Sequence, residues 1–347
     1  MNGLLKIARF SSWWYYKIPL FVVVLFITHV GEAKFSDLSI GSVFKALFLM
    51  VVGATFVSIL NDFTDREVDL MANKNNNFSR FSSTQSALIM AITLGVCALM
   101  PWILRLNVNA FWTYFSAITS YILYSVKPLR FKDRGFWGMV FDSLGSVVFP
   151  MGSFLFTSIP NWSESISLVT QIILFLWLFF LAMRSILVHQ VEDKLNDMNS
   201  GTNTFVTRFS EKMVNRIGLF MFVFEIASFL GLCFTLKLYA SPWFVFFFLF
   251  YLGTQWLFKR IIWMKFSLFG KMNESSIVFM YDYYYSYLLM GLIFMMGIPL
   301  IWKFGLLVAI VILFPVYFKQ QFNCLKTLFL RLTVYRHKEH IPPSEPE

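Results

Sequence analysis

The chain has 347 residues, 58% of them hydrophobic and only 14% charged, with a net charge of +10 and three cysteines. Soluble domains are about one quarter charged, so this composition excludes a soluble globular domain and a disordered chain. Three cysteines with no repeated spacing exclude a disulfide framework and a thiolate metal site.

Apolar runs long enough to cross a bilayer, at about 20 residues each, lie at 13–30, 40–60, 85–104, 108–124, 138–159, 166–183, 214–236, 242–258, 277–301 and 304–318. The last would reach only about 22 Å as a helix and fits a re-entrant or interfacial segment. The expectation is therefore an all-α polytopic membrane helix bundle of about nine to ten transmembrane helices around a central cavity. A single domain is expected over residues 1–330, with a short disordered tail over 331–347 ending in Ile341-Pro342-Pro343-Ser344-Glu345-Pro346-Glu347. The start of the chain imitates a secretory signal. Its basic stretch nevertheless extends to Lys17 with no small-x-small cleavage site after it, so a retained first helix is expected.

Placing both termini in the cytoplasm puts all but five of the 29 Lys and Arg on that side. Lys34, Arg105, Lys237 and Lys303 fall in outer loops and Lys45 within a span. The excess positive charge is then an orientation signal and calls for no nucleic-acid partner. A bacterial inner membrane, or its equivalent, suits this pattern.

The second span ends in Asn61-Asp62-Phe63-Thr64-Asp65-Arg66-Glu67-Val68-Asp69. At about 100° per helical residue, Asp62, Asp65 and Asp69 fall within about 60° of one another while Glu67 points away. Acids packed against a membrane segment need a cation. The second inner loop, between the fourth and fifth runs, carries Lys127, Arg130, Lys132 and Arg134 within eight residues. Orientation by positive charge accounts equally well for Lys127 and Arg134. Arg130 and Lys132, bracketed by Pro128 and Gly135, are the better candidates for diphosphate contacts, where they would stabilise charge on a departing diphosphate.

The sixth span ends in a second copy of the acidic pattern, His189-Gln190-Val191-Glu192-Asp193-Lys194-Leu195-Asn196-Asp197, with Asp193 and Asp197 on one face. Mg²⁺ takes one or two carboxylates and completes its shell with water and phosphate oxygens. Two acidic faces at matching depth thus point to a metal-bound diphosphate, although a solvated helix end paired with Arg66 or Lys194 is the plain alternative for either motif alone. Asp142 and Asp282 lie about one turn inside their spans, where ionisable groups face a bundle interior or a wet cavity. Both are candidates to line an acceptor pocket, Asp282 beside Tyr281, Tyr283, Tyr284, Tyr285 and Tyr287; interhelical hydrogen bonding is the alternative. Glu225 lies deeper and reads as structural. His189 is a candidate base for an acceptor, or a helix cap.

The NDxxDxxxD motif at 61–69, the Tyr124-Ser125-Val126-Lys127-Pro128-Leu129-Arg130-Phe131-Lys132 loop, and Asp193 and Asp197 followed by Gly201 and Thr204 together resemble the UbiA superfamily of intramembrane prenyltransferases. The resemblance covers about residues 13–318. It implies a UbiA-like bundle of about nine spans that binds an isoprenyl diphosphate donor through Mg²⁺ and transfers the prenyl group to an acceptor, a small aromatic quinone precursor or a lipid. Carried over, Asn61, Asp62, Asp65 and Asp69 form the first metal and diphosphate site and Asp193 and Asp197 the second. Asp65, Asp193, Arg130 and Lys132 take catalytic roles, and Tyr124 helps to hold the diphosphate. Arg66 and Lys194 add charge compensation or form local ion pairs. Two departures stand out. Gln190 occupies a position that is often acidic, and Asn73-Lys74-Asn75-Asn76-Asn77 intervenes where an Arg-Pro pair is common.

Other functions use some of the same residues. A transporter or channel accounts for Asp142, Glu225 and Asp282, but not for acids gathered at helix ends opposite a basic loop. A lipid phosphotransferase needs glycine and Asp-Gly elements that are absent. On the UbiA scaffold itself, a terpene cyclase or a phosphoribosyl-transferring relative fits the same acids.

Overall fold

A computed structural model describes residues 9–15, 17–31, 39–71, 76–159, 161–270 and 276–338. It divides into two compact units, Met1–Leu238 and Tyr239–Glu347. The division falls after the seventh predicted span.

In the first unit, helices α1 (Phe10–Trp14), α2 (Ile18–Gly31), α3 (Ile40–Thr64) and α4 (Arg66–Met71) are followed by α5 (Ser83–Ile103), α6 (Val108–Ser125) and α7 (Phe136–Ser158). Then come α8 (Trp162–Ser165), α9 (Leu168–Asn199), α10 (Phe205–Arg208) and α11 (Glu211–Thr235). Polar caps set where the long helices begin, because the first turn of any helix leaves N–H groups without partners. Ser82 and Gln85 close a reciprocal capping box on α5. Asn107 caps α6, Ser167 caps α9 and Ser210 caps α11.

Leu49, Phe56 and Leu60 of α3 pack with Cys97 of α5 and with Tyr114 and Ile118 of α6. Along α9 and α11 the contact includes a fully buried ion pair, with Arg184 Nε and Nη2 donating to Glu225 Oε2 and Oε1 at 2.5 and 2.6 Å. Outward faces are apolar: Leu88, Ile92, Leu99, Trp102 and Ile103 of α5 are all exposed. Such a surface suits lipid tails, which are as apolar as leucine itself.

Among the described residues, six helices are long and apolar enough to cross a membrane: α3, α5, α7, α9, α11 and Pro242–Ile261. The sequence predicted ten, and the difference lies in the marginal runs. Ile18–Val30 and Tyr283–Met295 are shorter apolar helices. Helix α6 has span length, but Asn109, Thr113, Ser116, Thr119 and Ser120 dilute its hydropathy.

In the second unit, α12 (Pro242–Ile261) leads to a short parallel ladder of β1 (Lys265–Ser267) and β2 (Ser276–Val278). This ladder is a small addition to an otherwise helical chain. A π-helical turn at Tyr283–Tyr287 then opens α13 (Leu288–Met295). Helices α14 (Leu300–Leu313) and α15 (Pro315–Lys338) meet at a 92° bend, where Pro315 cannot continue the preceding hydrogen-bond ladder. The predicted short tenth segment is thus a 14-residue helix that stops at a proline. Helix α15 runs through residue 338, eight residues into the expected tail; residues 339–347 lie outside the described residues.

Candidate metal and diphosphate site

Helix α3 ends at Thr64, with Asp65 as its C-cap, and the short α4 restarts at Arg66. Motif one therefore straddles a helix break. Asp65 and Asp69 face a cavity, while Asp62, one step round the helix, is fully buried beside it. Its Oδ1 accepts from Arg9 Nη2 and its Oδ2 from Asn77 Nδ2 at 2.7 Å. Asn76 ties the motif together, donating from Nδ2 to the Asp62 carbonyl and to Asp69 Oδ2, each at 2.8 Å. Its own Oδ1 accepts from Phe78 N at 2.8 Å, a local Asx bond that fixes the amide.

The basic loop closes over the same carboxylates. Arg130 adopts a left-handed backbone, φ 33° and ψ 62°, which is rare for a residue with a Cβ and marks stored strain at functional sites. From there it donates to Asp65 Oδ1 at 3.1 Å, Asp133 Oδ2 at 2.7 Å and the Thr64 carbonyl at 3.2 Å. Lys132, in the 3₁₀ turn Phe131–Asp133, also donates to Asp65 Oδ1. Burial pushes its ammonium below the ordinary lysine range, and the Asp65 carboxylate opposes that shift.

Two glycines hold this loop. Gly138 lets α7 approach so closely that a Cβ there would meet the Phe131 carbonyl at 2.9 Å and the Lys132 backbone at 3.1 Å. Gly135, at φ 58°, bonds its N–H to Asn203 O and bridges Thr204, joining the basic loop to the segment after α9.

Motif two lies in about the last three turns of α9. Its carboxylates sit where the helix dipole is already negative, an unfavourable place unless a cation is near. His189 Nε2 lies 3.7 Å from Asp193 Oδ2. Gln190 is buried and accepts from Phe205 N at 3.1 Å, fixing the return of the chain after α9. A carboxylate is therefore not missing from the fold here, because an amide does the positioning.

These parts enclose one cavity of about 210 Å³. At about 30 Å³ per water, it has room for a diphosphate head with bound water. Of the residues singled out in the sequence, Asn61, Asp65, Asp69, Tyr124, Arg130, Lys132, His189, Gln190, Asp193, Asp197 and Thr204 line it together. The structure does not bring Asp62, Arg66, Lys127, Lys194 or Asp142 to its wall. Arg66 instead donates to the Phe81 carbonyl at 3.0 Å, and Lys127 and Lys194 are exposed. Asp142 bonds Ser146 at 3.4 Å, the same hydroxyl that Lys17 reaches at 3.1 Å, and it interacts electrostatically with Tyr124. In the second unit, Asp282 Oδ2 accepts from Gln321 Nε2 at 2.5 Å, and Gln321 Oε1 accepts from Tyr287 Oη at 2.9 Å.

The sequence pattern of the UbiA prenyltransferase family matches residues 12–266, well over half of the chain. The chain belongs to the UbiA prenyltransferase family. Its fold is that of solved UbiA homologues. One from Archaeoglobus fulgidus bound to GPP and Mg²⁺ is 14% identical, with 94% of this chain and 100% of that chain covered at a TM-score of 0.53. A second structure of a UbiA homologue from that organism, bound to DMAPP and Mg²⁺, is 17% identical over 68% and 85% of the two chains, at 0.52. A digeranylgeranylglyceryl phosphate synthase is 16% identical over 71% and 81%, also at 0.52. No curated protein matches. Membership and the six apolar helices make this UbiA-family chain an integral membrane protein.

The donor set of this UbiA-family site fits Mg²⁺. Asn61, Asp65, Asp193 and Asp197 offer hard oxygen ligands at the negative ends of α3 and α9, and Asp69 offers another from the first turn of α4. Among the described residues, no three His, Cys, Asp or Glu side chains converge as a ready-made metal cluster. Each carboxylate face would thus hold a cation by completing its shell with phosphate and water oxygens, the habit of Mg²⁺.

Sequence reading passed over Arg9, Ser200 and Thr202, all in the cavity wall. Arg9 sits 53 positions from the acid it bonds, and its charge is already explained by membrane orientation. Asn76 and Asn77 were in view only as a departure from a family pattern.

Proposed function

We propose that this protein transfers a prenyl group from an isoprenyl diphosphate to an acceptor, with Mg²⁺ holding the diphosphate. One observation carries the reading: Asp65, Asp69, Asp193 and Asp197 share a single cavity with Arg130 and Lys132. Carboxylates for a cation and cations for a phosphate occur together. The ligands of the solved relatives, DMAPP or GPP with Mg²⁺, support the donor class. The acceptor is a small aromatic or a membrane lipid.

When bound, Mg²⁺ polarises the phosphate oxygens as a Lewis acid. Arg130 and Lys132 exchange their bonds to Asp65 for the diphosphate and stabilise the charge that grows as the C–O bond loosens towards an allylic cation. Val68 and Ile186 in the wall help to exclude water, which would hydrolyse that cation. Tyr124 positions the diphosphate at the wall. Asp142, which interacts electrostatically with Tyr124 and accepts from Ser146, is the base on the acceptor side: a carbon or oxygen nucleophile attacks the allylic cation and passes its proton to this carboxylate. The positive-inside count supports placing both termini and both acidic motifs at the cytoplasmic face.

The test supplies purified protein in lipid with isoprenyl diphosphates of several lengths and a panel of aromatic and lipid acceptors, with and without Mg²⁺. Metal-dependent release of diphosphate and a prenylated product are expected. Ion flux across liposomes with no diphosphate release would replace this reading with the transporter.

A further inference from the structure

We propose that Arg9 is a third diphosphate-binding cation, handed from Asp62 to the donor when the donor arrives; this rests on the diphosphate reading above. Arg9 lines the same cavity as Arg130, Lys132, Asp65 and Asp193. Its Nη2 bonds Asp62 Oδ1, yet the two partners differ sharply: the Arg9 side chain is 39% exposed and that of Asp62 is 0% exposed. The guanidinium therefore spans from a buried carboxylate to the open chamber. A guanidinium presents five N–H donors in a planar fork, so a bond through Nη2 does not exhaust it. That fork matches phosphate oxygens.

The backbone around Arg9 is built to hold it there. Its φ of 47° lies in the left-handed region that side-chain-bearing residues rarely adopt. The next residues form an aromatic plug, with Phe10 stacked on Trp14 at 5.0 Å and edge-on to Trp13 at 4.8 Å. Aromatic groups of this kind anchor at a membrane interface.

The exchange has a consequence for the metal. Asp62 is fully buried and off the cavity wall, so when Arg9 turns to the diphosphate the carboxylate keeps its Asn77 bond but loses its counter-charge, which a cation in the neighbouring chamber would offset. Diphosphate and cation then favour each other's binding, and by linkage the effect is reciprocal.

Binding of inorganic diphosphate, followed by calorimetry with Mg²⁺ and separately with EDTA, tests this without an acceptor. Arg9→Ala should weaken metal-free diphosphate binding about tenfold or more, the scale of a charge-assisted hydrogen bond, with Arg9→Lys intermediate. Asp62→Asn should release Arg9 and tighten metal-free binding. That gain should vanish in Asp62→Asn/Arg9→Ala, which removes both charges and remains a usable comparison if Arg9→Ala alone fails to fold. Wild-type affinity in Arg9→Ala, or a gain that persists in the double variant, overturns the proposal and leaves Arg9 as a counter-ion of Asp62. Arg130→Ala and Lys132→Ala are measured alongside. If they weaken binding and Arg9→Ala does not, only this inference falls; if none of the three matters, the diphosphate reading falls with it.

Discussion

Lys132 donates to Oδ1 of Asp65, 67 positions away in the chain, and Arg130 bonds the same oxygen. The cations proposed to bind diphosphate and a carboxylate proposed to bind metal thus neutralise one another in this structure. Replacing Lys132 by Met removes one charge-assisted bond to the diphosphate, about 1.5–3 kcal/mol. The dissociation constant for inorganic diphosphate with Mg²⁺, measured by calorimetry, should rise at least about tenfold, while the circular dichroism spectrum stays unchanged.

Gly138 is where packing and chemistry meet. An alanine methyl at this position would press on the Phe131 carbonyl and the Lys132 backbone, and overpacking of this kind costs about 1–3 kcal/mol. Gly138→Ala should therefore lower the thermal midpoint and weaken diphosphate binding together. Gly253→Ala, at an α12 glycine with no neighbour within 4 Å of an added Cβ, should do neither.

Asn76 touches no ligand in this account; it orients Asp69 through a 2.8 Å bond. Loss of such an outer partner typically costs about 10–100-fold in metal affinity. Asn76→Ala should raise the Mg²⁺ concentration needed for half-maximal diphosphate release by about that factor. A change in donor KM at saturating Mg²⁺, with metal affinity unaltered, would contradict the assignment.

The buried Arg184 and Glu225 pair belongs to stability. Removing one partner strands a buried charge at a cost of about 3–5 kcal/mol, so Glu225→Gln should sharply lower the thermal midpoint. Replacing both residues by methionine should recover most of the loss, because a well-packed apolar pair avoids the desolvation of two ions. Protection against heat inactivation in proteoliposomes reads this directly.

Chemistry was more legible in the sequence than geometry. Acids and cations are conspicuous in apolar sequence because burying them is costly, so Asp65, Asp69, Arg130, Lys132, Asp193 and Asp197 could be singled out and do line one cavity. The fate of Asp62 was not legible, because its orientation depends on Arg9 and Asn77, and no local period links them. The break after Thr64 likewise interrupts a helical projection that treats motif one as continuous. The helical membrane bundle was legible from the apolar runs, whereas the number of spans was less so where runs were short or diluted by hydroxyl groups, as in Ile18–Val30 and α6. Pairing of Gly135 with Thr204 is a tertiary contact, invisible to spacing alone.

The central claim is that carboxylates from α3 and α9 grip a single metal-bound diphosphate. Its most direct test titrates Mn²⁺, as a paramagnetic substitute for Mg²⁺, into the protein with and without inorganic diphosphate and follows free Mn²⁺ by electron paramagnetic resonance. Diphosphate should strongly increase Mn²⁺ binding in the wild type, and Asp65→Asn and Asp193→Asn should each abolish that increase. Full diphosphate-dependent Mn²⁺ binding by either folded variant would contradict the claim.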